Sequence, residues 1–280
     1  MGILKGGVAF FDSGVGGLTV LNECKKVIQD ETFYYYGDNR RAPYGNRPQG
    51  QIEKWVFRVF KKFARLRVRA VVIACNTATA VCVEKLRKKY SFPIIGAEPA
   101  VYSACKKGGE IFVLSTRATF ESERFQKLCA RAENAYPNAR IRSFACTALA
   151  GEIERHIFEK TYDYTPFFPI GQPNVVVLGC THYVYIKPQV EKFYGCTVFD
   201  GNQGIANRLK SILLEKSRDE KPLLTHPVST FAPLQKKRSK KPTKNTTILG
   251  NKRGVEDAPV YFLGGAKKVN KRTFEQMFAK

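Results

Sequence analysis

Cys-x-x-Cys pairs are missing from this chain, although it holds 8 cysteines: Cys24, Cys75, Cys82, Cys105, Cys129, Cys146, Cys180 and Cys196. Their absence argues against a zinc ribbon or a thioredoxin-like dithiol, and with no secretory segment a disulfide framework is the weaker reading. Only Cys180 and His182 lie at a ligand-like spacing, whereas a structural zinc site needs four ligands. No apolar run is long enough to span a bilayer. The opening MGILKGGVAFFDSG reaches Asp12 too early for a signal peptide, and Gly6 stands where a myristoylation signal needs Ser or Thr. The glycines of DSGVGGL lack the third glycine of a dinucleotide fingerprint, and a tight strand-to-helix turn accounts for Gly14, Gly16 and Gly17. The expectation is a cytoplasmic protein with no membrane partner, no metal and no cofactor.

Acidic residues are also scarce, 24 against 47 Lys and Arg, for a net charge of +23. Part of the excess is local: residues 234–254, LQKKRSKKPTKNTTILGNKRG, hold eight basic residues and no acidic one. With Pro, Ser, Thr and Gly and no periodicity, that stretch reads as a solvated insertion or mobile loop. Nonspecific adhesion to nucleic acid at low salt is expected of it. Without interleaved aromatics or a recognised motif, specific nucleic-acid recognition is not. The same field would steer an anionic small substrate toward the protein.

What is present is an alternation of short apolar runs and helical segments. GVAFFD, TFYYYGD, AVVIACN, FPIIG, EIFVLST, RIRSFAC, NVVVLGC, CTVFD and PVYFLGG read as strands. Helices are expected over Gly17 to Gln29, through Leu66, over TATAVCVEKLRKKY with a threonine-rich cap, through FESERFQKLCARAENA, around LAGEIERHIF, near 203–215 and at the C-terminus. Such spacing argues for parallel sheets built from right-handed crossover units.

Two of the runs end alike, in VVIACNTATA at residues 71–80 and VVVLGCTHY at residues 175–183. Cys24, Cys82 and Cys129 fit helix interiors as small buried groups, but Cys75 and Cys180 stand at strand exits. In open parallel sheets ligands bind beyond the carboxyl ends of the strands, where Asp12, Asp38 and Thr116 also fall. Three chemistries use such thiols: a Cys–His nucleophile, which leaves the second copy unexplained; a redox couple, which normally keeps both thiols in one loop; and proton transfer on opposite faces of one carbon. The last needs thiols that ionise easily, and helix N-termini after the strands would help.

Together, FFDSGVGGLTV, YYGDNRRAPYG, IACNTAT, IIGAEPA and LGCTHY resemble, in order, the glutamate racemases of the cofactor-independent aspartate/glutamate racemase superfamily. The resemblance covers roughly residues 7–200 and, more loosely, PVYFLGGAKKVNKRTFEQMF. It implies an α/β fold of two pseudo-symmetric three-layer domains with mainly parallel sheets and the active site in the cleft between them. Residues 1–96 with 207–280 would form one domain, carrying a basic insertion at about 217–257, and residues 97–206 the other. It implies interconversion of L- and D-glutamate, supplying peptidoglycan synthesis, without pyridoxal phosphate or metal. Cys75 would deprotonate the D-isomer and Cys180 the L-isomer, Asp12 assisting the first thiol and His182 the second. A glutamate of AGEIERH would help, Glu154 rather than Glu152. Ser13, Tyr44, Gly45, Asn76, Thr77 and Thr181 match positions that hold the substrate, and Asn76 and Thr77 are also expected to cap their helix. Oligomeric state stays open, a homodimer included.

Two departures bear on rate and packing: Val184 follows Tyr183 where the family commonly has Pro, and Asn39 stands where Thr is frequent. Two rivals remain. One is a superfamily member acting on another substrate such as aspartate, decarboxylases being disfavoured because they lack one thiol. The other is a DNA-associated binding protein that uses the basic insertion.

Overall fold

The computed structural model describes residues 6–219, 246–249, 258–264 and 266–278. The first apolar runs form β1 (Val8–Asp12), β2 (Phe33–Gly37), β3 (Ala70–Ile73) and β4 (Ile94–Gly96), separated by α1 (Gly17–Val27), α2 (Gln49–Arg65) and α3 (Asn76–Lys89). The middle of the chain supplies α4 (Val101–Cys105), β5 (Gly109–Ser115), α5 (Arg117–Phe120), α6 (Glu123–Ala135), β6 (Ala139–Ala145), α7 (Leu149–His156), β7 (Val175–Gly179), α8 (Lys187–Tyr194) and β8 (Thr197–Phe199). The chain closes with α9 (Asn202–Asp219), β9 (Thr246–Leu249), β10 (Val260–Leu263) and α10 (Lys267–Phe278).

Two sheets result. The first has the order β4-β3-β1-β2-β10-β9 and draws on both ends of the chain; the second, β6-β5-β7-β8, comes from the middle. Every pairing is parallel except β9 with β10. Parallel strands covered on both faces read as continuous apolar runs, as β1 and β3 do. Successive side chains of β1 point to opposite faces. Val8 and Phe10 pack with α1, α9 and Phe274 of α10, while Ala9 and Phe11 pack with α2 and α3. The second sheet is sandwiched likewise, by α7 and α8 on one face and by α4 and α6 on the other.

The structure corrects several expectations. The helix expected through residues 120–135 is broken at Ser122, whose hydroxyl accepts the Phe125 N–H at 3.2 Å and starts α6. The expected basic insertion yields Thr246–Leu249 to an antiparallel strand on β10, and residues 217–219 still belong to α9. Its remainder, residues 220–245 and 250–257, lies outside the described residues. Asn76 and Thr77 do not cap α3. They are its first two residues, and the cap is Cys75, whose sulfur accepts the Ala78 N–H at 3.4 Å. None of the described helices is long and apolar enough to cross a membrane.

Candidate active site

β1, β3 and β7 deliver Asp12, Cys75 and Cys180 to the facing ends of the two sheets. Cys75 and Cys180, from different sheets, line one cavity with an empty volume of ≈ 260 Å³. Ser13, Tyr44, Gly45, Asn76, Thr77, Thr181 and His182 line it too, so the substrate-holding residues expected from sequence are brought together, apart from Asp12. Both sulfurs are buried.

Glycines create the seam between the two sheets. The expected tight strand-to-helix turn is present, residues 13–16 joining β1 to α1, but Gly14, Gly16 and Gly17 are absent from the positive-φ positions, so backbone conformation does not explain why they are glycines. Clearance does. A Cβ on Gly14 would lie 2.6 Å from Glu154 Oε2, and one on Gly16 would overlap Thr181 Oγ1 and stand 2.8 Å from the His182 amide nitrogen. Gly16→Ala is expected to reduce turnover by about 10²-fold, as misplacing reacting groups by an ångström does, with far-UV circular dichroism unchanged. Activity within a factor of two of the parent would refute the clearance argument.

Asp12 is fully buried; its Oδ2 accepts the Gly14 N–H at 2.9 Å and its Oδ1 accepts the Thr181 hydroxyl at 3.2 Å. Thus it is tied directly to the loop of the second thiol, not the first. Burial raises its pKa above the ordinary value, against the lowering by His182 and the Gly14 and Gly17 amides. Cys75 faces Ser13 Oγ at 3.5 Å. The N-terminus of α3 and the Ser13 hydroxyl favour its thiolate, but burial and then the Asp12 carboxylate outweigh them and push its pKa up to about 12. The expectation of an easily ionised thiol therefore fails for Cys75. It is held as the thiol.

The second thiol has another setting. Cys180 Sγ lies 3.8 Å from His182 Nδ1, and His182 Nε2 pairs with Glu154 Oε2. Burial lowers the His182 pKa, yet Glu154 and the Cys180 sulfur raise it more, leaving it well above the ordinary value. Asn39, from the β2 side, donates to Glu154 Oε1 at 3.3 Å. Glu152 points elsewhere, to Arg155 and the Tyr162 hydroxyl.

Two contributors were not among the expected contacts. Thr116, at the end of β5, lines the cavity and shares hydroxyl contacts with Thr77 at 2.8 Å and Thr119 at 3.1 Å. Its strand-exit position was the available signal. Asp38 accepts the Tyr44 hydroxyl at 2.7 Å and holds Arg41 at 2.8 and 2.9 Å, bracing the wall that carries Tyr44 and Gly45.

Two sheets that present paired thiols across one cavity define a class. The chain belongs to the Asp/Glu/Hydantoin racemase family, whose sequence profile matches residues 18–209. Within that family its similarity runs to glutamate racemases. It is 34% identical to glutamate racemase 2 of Bacillus subtilis over 75% of this chain and 83% of that protein, and 38% identical to the Clostridium novyi glutamate racemase over 77% and 86%. Among solved structures, the Campylobacter jejuni glutamate racemase superposes with a TM-score of 0.67 at 26% identity, covering 96% of this chain and 97% of that one. The Escherichia coli glutamate racemase, solved in complex with L-glutamate and the activator UDP-MurNAc-ala, gives 0.66 at 28% identity over 74% and 82%.

Proposed function

We propose that the chain racemises glutamate by a two-thiol acid/base mechanism and supplies D-glutamate for peptidoglycan synthesis. The observation that carries this reading is the pair Cys75 and Cys180 on one cavity, each projecting from a different sheet. A substrate α-carbon between them is approached from both faces. For the L-isomer, the Cys180 thiolate takes the α-proton, breaking C–H and forming S–H. The electron pair delocalises into the adjoining carboxylate, and the Cys75 thiol delivers its proton to the other face. The product is the mirror image, with the thiol and thiolate roles exchanged. The resting ionisation of Cys75 suits the donor step. Beside Cys180, His182 is held by Glu154 as an imidazolium, with its Nδ1 3.8 Å from the sulfur.

Substrate polar groups have matching partners. Asn76 Oδ1 is a buried acceptor without a partner among the described residues, suited to the ammonium. The hydroxyls of Ser13, Thr77, Thr116 and Thr181 can donate to carboxylates. Cys75 and Cys180 are only 5% and 7% exposed. Substrate therefore enters by separation of the two halves, taken as residues 1–96 with 207–280 and residues 97–206, and their closure excludes water from the carbanion.

The test is a polarimetric or circular-dichroism assay of purified chain with L-glutamate and no added cofactor. Glutamate should be turned over about 10- to 200-fold faster than aspartate, the discrimination one methylene gives in a fitted pocket. Preference for aspartate would replace this reading with that of the shorter substrate; no racemisation of either would end it.

A further inference from the structure

The positive charge of this chain is concentrated. Residues 97–206 carry 12 Lys and Arg against 11 Asp and Glu, whereas the rest of the chain carries 35 against 13. A large share lies on the layer formed by α2 and α3, where residues 53–89 hold 11 basic and 2 acidic side chains. Both acids are engaged, Glu53 with Lys85 and Glu84 with Arg87 and Arg124.

On α2 the cations are ordered. Lys54, Arg58, Lys61 and Arg65 are all exposed and stand at i, i+4, i+7 and i+11. A repeat of 3.6 residues sets them in one row about 16 Å long. The opposite face of α2, with Ile52, Val56, Val59, Phe60 and Phe63, is buried in the core and holds the row in place. None of the four has a carboxylate partner among the described residues. The helix dipole accounts for Arg65 in the last turn, but Lys54 and Arg58 lie too far from the C-terminus to gain from it. Neighbouring like charges at these spacings oppose helix formation. Folding alone does not explain the row.

We propose that the outer face of α2 binds the sugar–phosphate backbone of nucleic acid without regard to sequence. A row of fixed cations meets a ligand with regularly repeated anionic charge, and binding releases the counterions condensed on that ligand. A lipid surface fits less well. None of the exposed large apolar side chains among the described residues lies on α2 or α3, so nothing there would enter the acyl boundary. No residue of α2 lines the cavity that holds the two thiols, so the ligand would leave the cavity open.

The experiment titrates a fluorescent duplex of ~20 base pairs and arbitrary sequence with the full chain across a range of KCl concentrations. In one variant Lys54→Gln, Arg58→Gln, Lys61→Gln and Arg65→Gln are combined. In a second, Lys236, Lys237, Arg238, Lys240, Lys241 and Lys244 are each replaced by Gln. The first should bind at least about tenfold more weakly near 100 mM salt, with the slope of log affinity against log salt reduced by about 3.6, the value for four phosphates. Its far-UV circular dichroism and turnover should match the parent. Unchanged affinity and slope in the first variant overturns the proposal. Loss of all binding in the second overturns it too, as does binding of the parent to phosphatidylserine vesicles but not to the duplex.

Discussion

Cys75→Ala and Cys180→Ala should each slow racemisation by about 10⁴-fold or more, the upper end of what one positioned acid/base group contributes. The loss must be the same in both directions, although each thiol serves only one face. L- and D-glutamate have equal free energy in water, so kcat/KM for the two directions stays equal in every variant. Values of kcat/KM therefore cannot tell which thiol serves which isomer. Exchange in heavy water can. In Cys75→Ala the surviving Cys180 still meets the α-hydrogen of L-glutamate, so any residual deuterium incorporation should enter the L-isomer. In Cys180→Ala it should enter the D-isomer. In the parent, deuterium should appear first in the product isomer. Either variant racemising within tenfold of the parent would remove that thiol from the mechanism, and equal early labelling of both isomers would exclude separate bases.

The parallel-sheet scaffold and the two thiol loops were legible because both are written locally. Apolar runs such as VVIA and VVVLG end where the strands end, and the polar residues that follow fall at the cavity. Features that depend on the second body across the cleft were not. Gly14 and Gly16 looked like turn glycines, yet what excludes a side chain there is Glu154, Thr181 and His182, more than 130 positions away in the chain. Glu152 and Glu154 differ by two residues, or about 200° around a helix. Sequence placed both on α7, and only the packing of α7 against the Thr181–Ile186 turn turns Glu154 toward His182. The cap of α3 was missed because sulfur is a poor acceptor beside Asn or Thr, but at position 75 only the sulfur lies at the cap. Thr246–Leu249 escaped because four residues amid Lys, Asn and Gly carry no usable alternation; their pairing with β10 decides the matter.

Glu154→Gln should move the alkaline limb of the kcat/KM profile down by about one pH unit or more, the effect expected when an adjacent opposite charge is removed. In the parent, Glu154 and the Cys180 sulfur overcome burial and keep His182 protonated well above its ordinary range. Glutamine preserves a hydrogen-bonding shape toward His182 and Asn39 but removes the anion. The imidazolium then loses its proton at lower pH, and with it goes the cation that faces the Cys180 sulfur. Asn39→Ala provides the contrast, since it removes one uncharged donor, 3.3 Å from Glu154 Oε1, and leaves the charge pair intact, so its limb should move much less. Stability follows the same sign. Because His182 binds its proton more tightly folded than unfolded, the stabilisation is complete below the unfolded value of about 6.5 and is lost as pH rises through the higher folded one. The melting-temperature gap between parent and Glu154→Gln should thus be widest on the acid side of neutrality and narrow in alkali. If the alkaline limb of Glu154→Gln coincided with that of the parent, the His182–Glu154 pair would have no part in controlling the second thiol, and its role would be reduced to holding α7 against the seam.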